Sequence, residues 1–143
     1  MNSTESKLII KVSDFLKKLE VPYGSTIIIG LSGGPDSVAL LLALHSLKEE
    51  FDLNLHAAYV NHGMRDVHEL NQEDSFVEAF VRSLGINFHN HHIEHNKIID
   101  IAKIEKRSNE DVARELRYDF FDILLKKYSQ SYLALGHNLD DQF

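Results

Sequence analysis

A chain of 143 residues, 43% hydrophobic and 26% charged, suits one globular domain with a core of its own. The absence of cysteine excludes disulfides, thiolate metal centres and cysteine nucleophiles within it. There is no basic-apolar leader and no apolar run of about 18 residues, so no membrane is expected and the cytoplasm is the expected compartment. The net charge of −7, from 15 Lys+Arg against 22 Asp+Glu, leaves no basic surface of the kind that grips nucleic acid. Either the partner is not nucleic acid or the basic surface lies elsewhere.

Leu8, Ile9, Val12, Phe15, Leu16 and Leu19 recur at helical spacing and predict an amphipathic first helix, ended by Pro22-Tyr23-Gly24. Residues 26–31 form a continuous apolar run, the mark of a parallel strand covered on both faces. A helix is predicted over 36–50, a strand over 53–60 and a polar loop over 61–68. A further helix follows over 69–84, with Leu70, Val77, Phe80, Val81 and Leu84 on its apolar side and Gly85 as its cap. Residues 86–93 read as a weaker third strand. Residues 95–107 hold too few apolar side chains to decide between a short helix and a loop. Ser108 with Asp111 forms a box-like helix start; that helix runs to about residue 128, and 132–135 is a short fourth strand. Strands alternating with helices imply βαβ units, a mostly parallel sheet and helices on both faces. Ligands of such sheets bind beyond the carboxyl ends of the strands, where the strand order switches. The loops after the first, second and fourth strands all belong to that edge.

The loop after the first strand carries the strongest chemical signal. Ser32-Gly33-Gly34-Pro35-Asp36-Ser37 lies between a buried strand and a helix start. A helix start offers unpaired N–H groups and the positive end of the macrodipole, and so attracts anions. Gly33 and Gly34 allow close approach of the backbone to phosphate, Pro35 suits the first helical turn, and Ser32 and Ser37 add hydroxyls. Asp36 would repel phosphates unless a cation intervenes, so the loop reads as a magnesium–nucleotide site. It lacks the lysine of a Walker A loop and the spacing of a dinucleotide fingerprint. The bland alternative is a strand–helix turn rich in small residues.

Three other constellations are weaker alone. His137-Asn138-Leu139-Asp140-Asp141-Gln142 follows the fourth strand. Adjacent aspartates diverge by ~100° on a helix, so one of Asp140 and Asp141 is expected to face Mg²⁺ and the other to order a neighbour; helix capping by Asn138 is the competing reading. Val60-Asn61-His62-Gly63-Met64-Arg65 follows the second strand, and His62 and Arg65 could meet adenine, ribose or phosphates, or be surface polar groups of a turn. In Ala113-Arg114-Glu115-Leu116-Arg117-Tyr118 the two arginines share one side of a helix. They could clamp an anion, or form a solvated face with Glu110 paired to Arg114. His89, His91, His92 and His95 surround Glu94. His89 and His91 would share one face of a strand, and an exposed edge strand is preferred there over a metal site.

The S-G-G-P-D-S loop resembles the pyrophosphate loop of the ATP pyrophosphatase superfamily. With V-N-H-G-M-R, A-R-E-L-R-Y and H-N-L-D-D-Q in this order, nearly the whole chain resembles the N-terminal catalytic domain of the tRNA(Ile)-lysidine synthetase family. The resemblance implies an adenine-nucleotide α-hydrolase-like, Rossmann-like α/β fold of the PP-loop type. It implies ATP and Mg²⁺ as cofactors, and isoleucine tRNA and free L-lysine as partners, with a homodimer compatible with it. The implied reaction adenylates C2 of the wobble cytidine in a CAU anticodon, releases pyrophosphate, and then joins lysine with loss of AMP. Ser32, Gly33, Gly34, Pro35, Asp36 and Ser37, with His62 and Arg65, would bind the nucleotide. Asp36, Asp140 and Asp141 would hold the metal, and His137, Arg114 and Arg117 would complete the catalytic set. The family's last motif usually continues through Glu and Thr, positions that would fall beyond Phe143. The chain is therefore expected to be part of a longer protein, with tRNA-binding domains elsewhere that would account for the acidic balance here. Rivals are a tRNA cytidine thiolase, which needs a C-x-x-C pair, an amidotransferase-type ligase making GMP or NAD, and a non-catalytic ATP sensor.

Overall fold

Residues 27–29 and 31 are all nearly inaccessible to solvent, which only a strand with packed layers on both sides can achieve. The computed structural model describes residues 3–31, 35–61 and 67–136. In chain order these form α1 (Ser3–Lys18), β1 (Thr26–Leu31), α2 (Pro35–Phe51), β2 (Asn54–Asn61), α3 (Val67–Ser83), β3 (Asn87–His92), α4 (His95–Glu105), α5 (Asn109–Lys127) and β4 (Ser131–Leu135). Ser108 caps α5 as its sequence predicts, its hydroxyl accepting from the Asp111 N–H at 3.1 Å. Gly85 closes α3 at φ +73°.

One open local reading is decided and one is corrected. Residues 95–105 are helical, although their apolar stripe is short. Ile98 and Ala102 are buried against α5 and Ile93, so tertiary packing stabilises a helix that its own periodicity supports weakly. Asn61 is not loop: it is the last residue of β2 and is buried. A polar side chain at a strand end reads as loop unless its buried partner is known.

All pairings are parallel and the order is β3-β2-β1-β4. The chain therefore steps one way from β1 to β3 and returns across β1 to reach β4. Crossovers of one hand then place α2 and α3 on one face and α4 and α5 on the other. The two cores follow this division. One joins α1, α2 and α3 to Ile27, Ile29, Leu55, Ala57 and Tyr59. The other joins α4 and α5 to Ile28, Ala58, Val60 and Leu135. Gly30 sits where the second layer is thinnest: a Cβ there would lie 2.6 Å from Leu135 Cδ2 and 2.9 Å from Phe121 Cζ.

The histidine-rich third strand is an edge strand, as expected, but its histidines are not simply exposed. His89 and His91 face α5 together. His91 stacks on Phe120 with centroids 4.8 Å apart. The His56 Nδ1 and His89 Nε2 atoms are 2.9 Å apart, one ring donating and the other accepting. Asn54 and the Tyr128 ring enclose His56, which is 5% exposed. Burial lowers the pKa of both histidines. The neighbouring His89 lowers that of His56 further, and Lys127 and Arg82 lower that of His89. A pKa depressed in the folded state means that the unfolded chain takes up protons first. Stability is thus expected to hold above about pH 6.5, the free histidine value, and to fall as pH drops toward the lowered values. Denaturant midpoints measured between about pH 7 and pH 5 should decline, and His89→Phe should flatten that decline. An equally steep decline in the variant would remove the pair as its cause.

Candidate functional site

The carboxyl ends of four parallel strands share one edge, and the strand order reverses between β1 and β4. A crevice opens at such a reversal because the two chains leave in opposite directions. Here the elements that meet at the reversal are α2, which starts just after β1, and Gly136, which follows β4. Gly136 is buried against the first turn of α2. A Cβ on it would lie 2.6 Å from the Ser37 nitrogen and 2.8 Å from the Asp36 carbonyl carbon. Backbone touches backbone at this point, so the segment leaving β4 is held directly on the helix start. The motif of residues 137–142 issues from that contact.

Asp36 lies in the first turn of α2 with its side chain exposed, whereas Ser37 is 2% exposed and engaged. An exposed carboxylate beside a helix N-terminus presents hard oxygen donors of the kind Mg²⁺ takes, and so fits the metal role expected of it. Its expected companions Asp140 and Asp141, with His137, lie outside the described residues, as do Ser32, Gly33, Gly34, His62 and Arg65. Pro35 opens α2, as its restricted φ favours. Among the described residues no group of three His, Cys, Asp or Glu side chains could hold a metal ion, and this includes the histidines of β3.

The paired arginines belong to α5. This helix descends from the carboxyl edge to the amino edge, since the Ser131 hydroxyl at the start of β4 donates to the Leu125 carbonyl near the end of α5. Phe121 is level with Gly30, the penultimate residue of β1. Arg117 and Arg114 precede it by four and seven residues, and therefore rise roughly 6 and 10 Å further, to the ligand edge. Both guanidiniums lie near the Tyr118 ring, at 5.4 Å for Arg114 and 5.9 Å for Arg117. The ring's negative face holds the two cations together. Among the described residues no ion pair joins Arg114 to Glu110; the acidic side chains of this region serve Arg107 instead. Glu105, Asp111 and Glu115 converge on that guanidinium and raise its pKa. The arginine pair is thereby left to other anions.

Tyr118 and the α3 carboxylates are the parts that sequence patterning missed. Tyr118 adjoins Arg117 and follows Arg114 by four residues, a spacing that could have flagged it. Asp74 carries no such signal. Its two carboxylate oxygens accept from Asn61 Nδ2, each at 3.1 Å.

The chain matches a family described as the PP-loop domain over residues 4–143. It is 41% identical over 119 residues to the tRNA(Ile)-lysidine synthase of Clostridium tetani, covering 83% of this chain and 25% of that protein. Against the enzyme of the same name from Bacillus subtilis it is 38% identical over 132 residues, covering 92% and 27%. The chain thus spans about a quarter of the length of these curated relatives. Among solved structures, the U34-tRNA thiolase NcsA from Methanococcus maripaludis superimposes with a TM-score of 0.71 at 23% identity, over 95% of this chain and 46% of that one. That similarity shows the fold. Among the described residues no helix is long and apolar enough to cross a membrane.

Proposed function

The chain belongs to the PP-loop domain family, and on that premise we propose that it is the ATP-handling part of a tRNA(Ile)-lysidine synthase acting in the cytoplasm. The observation that carries this reading is the contact of Gly136 with Asp36 and Ser37. It sets Gly136 beside the helix start at the switch point, the place where a parallel sheet of this order receives its ligand. The identity to the lysidine synthases of Clostridium tetani and Bacillus subtilis supports the choice of substrate class.

In this reading residues 32–37 seat the triphosphate on the N-terminus of α2. The C2 oxygen of the cytidine attacks the α-phosphorus, the α–β bond breaks, and pyrophosphate leaves with its electron pair. The neutral ε-amine of lysine then attacks C2, gives its proton to an acceptor, and displaces AMP. Mg²⁺, held by Asp36 with Asp140 or Asp141, would supply neutralisation of the charge growing on the leaving pyrophosphate. Arg114 and Arg117, gathered by Tyr118 at the ligand edge, with Arg65, answer the remaining anionic groups. His137 orients substrate or an adjacent aspartate. The acidic balance of the chain implies that tRNA is gripped chiefly elsewhere.

A thiolase activity is disfavoured because this stretch, lacking cysteine, offers no thiolate to an iron–sulfur cluster. A GMP- or NAD-forming ligase shares the first loop but not the later motifs. A silent ATP sensor has little use for Asp140 and Asp141 paired in the sequence that follows β4.

Radiolabelled lysine is expected to enter isoleucine tRNA bearing CAU when the protein, in its natural full length, is supplied with ATP. One AMP and one pyrophosphate should form per lysine joined. Labelling equal to a control without ATP, or release of ADP, refutes the assignment.

A further inference from the structure

We infer that Tyr118 is a positioning residue of the ligand edge: anchored on the sheet through Phe121, its ring holds Arg114 and Arg117 as one unit that receives a phosphate group, of the nucleotide or of the tRNA backbone. The inference rests on the reading of this edge as an ATP site.

The two arginines lie about one turn apart on α5. Like charges at this spacing repel, and a long side chain left free loses much rotamer entropy when a ligand orders it. The ring reduces both costs. The Arg114 and Arg117 guanidinium carbons lie 5.4 and 5.9 Å from its centre, within the ~6 Å over which the ring quadrupole attracts a cation. A ring satisfies neither the full charge nor the N–H donors of the pair. Among the described residues no carboxylate forms an ion pair with either arginine, and Asp111 and Glu115, on the same helix, are engaged by Arg107. Two forked guanidiniums held together in this way match the oxygens of a phosphate.

The sheet fixes the ring in turn. Tyr118 meets Phe121 edge to face, with centroids 5.7 Å apart and planes at 69°, an arrangement that the charge distribution of aromatic rings favours. Phe121 is 2% exposed and fits against Gly30 of β1, where a Cβ would lie 2.9 Å from Phe121 Cζ. Strand β1 thus sets Phe121, Phe121 sets Tyr118, and Tyr118 sets the arginines. An arginine pair on a solvated helix would lack this link to the strand that leads into the phosphate turn.

The test measures binding of Mg-ATP alone and of isoleucine tRNA alone to the protein at its natural full length. Tyr118→Leu is expected to raise the Kd for at least one of them about tenfold, and the arm affected identifies the source of the phosphate. Tyr118→Phe keeps the ring and should stay within about twofold of the wild type. Added to Arg114→Gln/Arg117→Gln, Tyr118→Leu should change Kd no further, a non-additivity that general loosening of the helix does not produce. Tyr118→Phe carrying ring fluorines keeps the ring's shape and weakens its negative face. It should bind as weakly as the leucine variant, and it serves where that variant does not fold. Folded leucine or fluorinated variants with wild-type Kd in both arms, a phenylalanine variant as weak as leucine, or an undiminished loss in the arginine-free background overturns the inference alone. A wild-type protein that binds neither Mg-ATP nor the tRNA overturns the functional reading and this inference with it.

Discussion

Gly136→Ala is expected to weaken Mg-ATP binding at least tenfold and to lower pyrophosphate release about a hundredfold, with the sheet intact. The added methyl carbon would sit 2.6 Å from the Ser37 nitrogen and 2.8 Å from the Ser37 Cα. Uncrowded carbon contacts lie near ~3.5–4.0 Å, so one of the two backbones must retreat by the better part of an ångström. The obstacle is main chain in the first turn of a helix, not a side chain that can swing away. The strand ladder ends one residue earlier, with Gly30 opposite Leu135, so the displacement falls on the crevice rather than on the core. Misplacement of this size at reacting groups costs roughly a hundredfold. Equilibrium binding of Mg-ATP, pyrophosphate release and a thermal melt on the same sample check it. A variant that binds and turns over like the wild type would show that this contact does not set the site.

Asp36→Ala should abolish turnover, by roughly a thousandfold or more, if this carboxylate holds the metal over the bond being broken, because that electrostatic assistance is worth several kcal/mol. The fold should survive. The side chain is exposed in the first turn of α2, where an acidic group favours the helix by only about 0.3–1 kcal/mol through the dipole. Asp36→Asn keeps the shape and loses the charge, and should fail almost as completely. Pyrophosphate release followed at rising Mg²⁺, with circular dichroism for the fold, decides the matter; near-normal release would remove Asp36 from the metal site.

Much of this architecture is written locally along the chain. The run of Ile27, Ile28 and Ile29 identifies a strand covered on both faces. Ser108 and Asp111 place a helix start to the residue. The alternation of elements implies a parallel sheet whose loops carry the chemistry, and the small-residue turn at 32–37 points to phosphate. Residues 95–105 resisted because two buried side chains, Ile98 and Ala102, make a helix only when another layer receives them. Asn61 resisted because an amide at the end of an apolar strand has the same sequence signature whether it meets water or Asp74.

Composition and periodicity, then, determined by themselves the class of fold and the order of its elements apart from α4. These depend on interactions within a few residues. Only the folded chain decided that Gly136 rests on Asp36 and Ser37, that Tyr118 gathers two arginines at the ligand edge, that His56 is bonded to His89, and that Asp74 reaches back to Asn61. All but the Tyr118 cluster join residues well separated in sequence, and that cluster's position at the edge rests on Phe121 meeting Gly30. Each is fixed by strand register and by the direction of the return crossover, which no local pattern encodes.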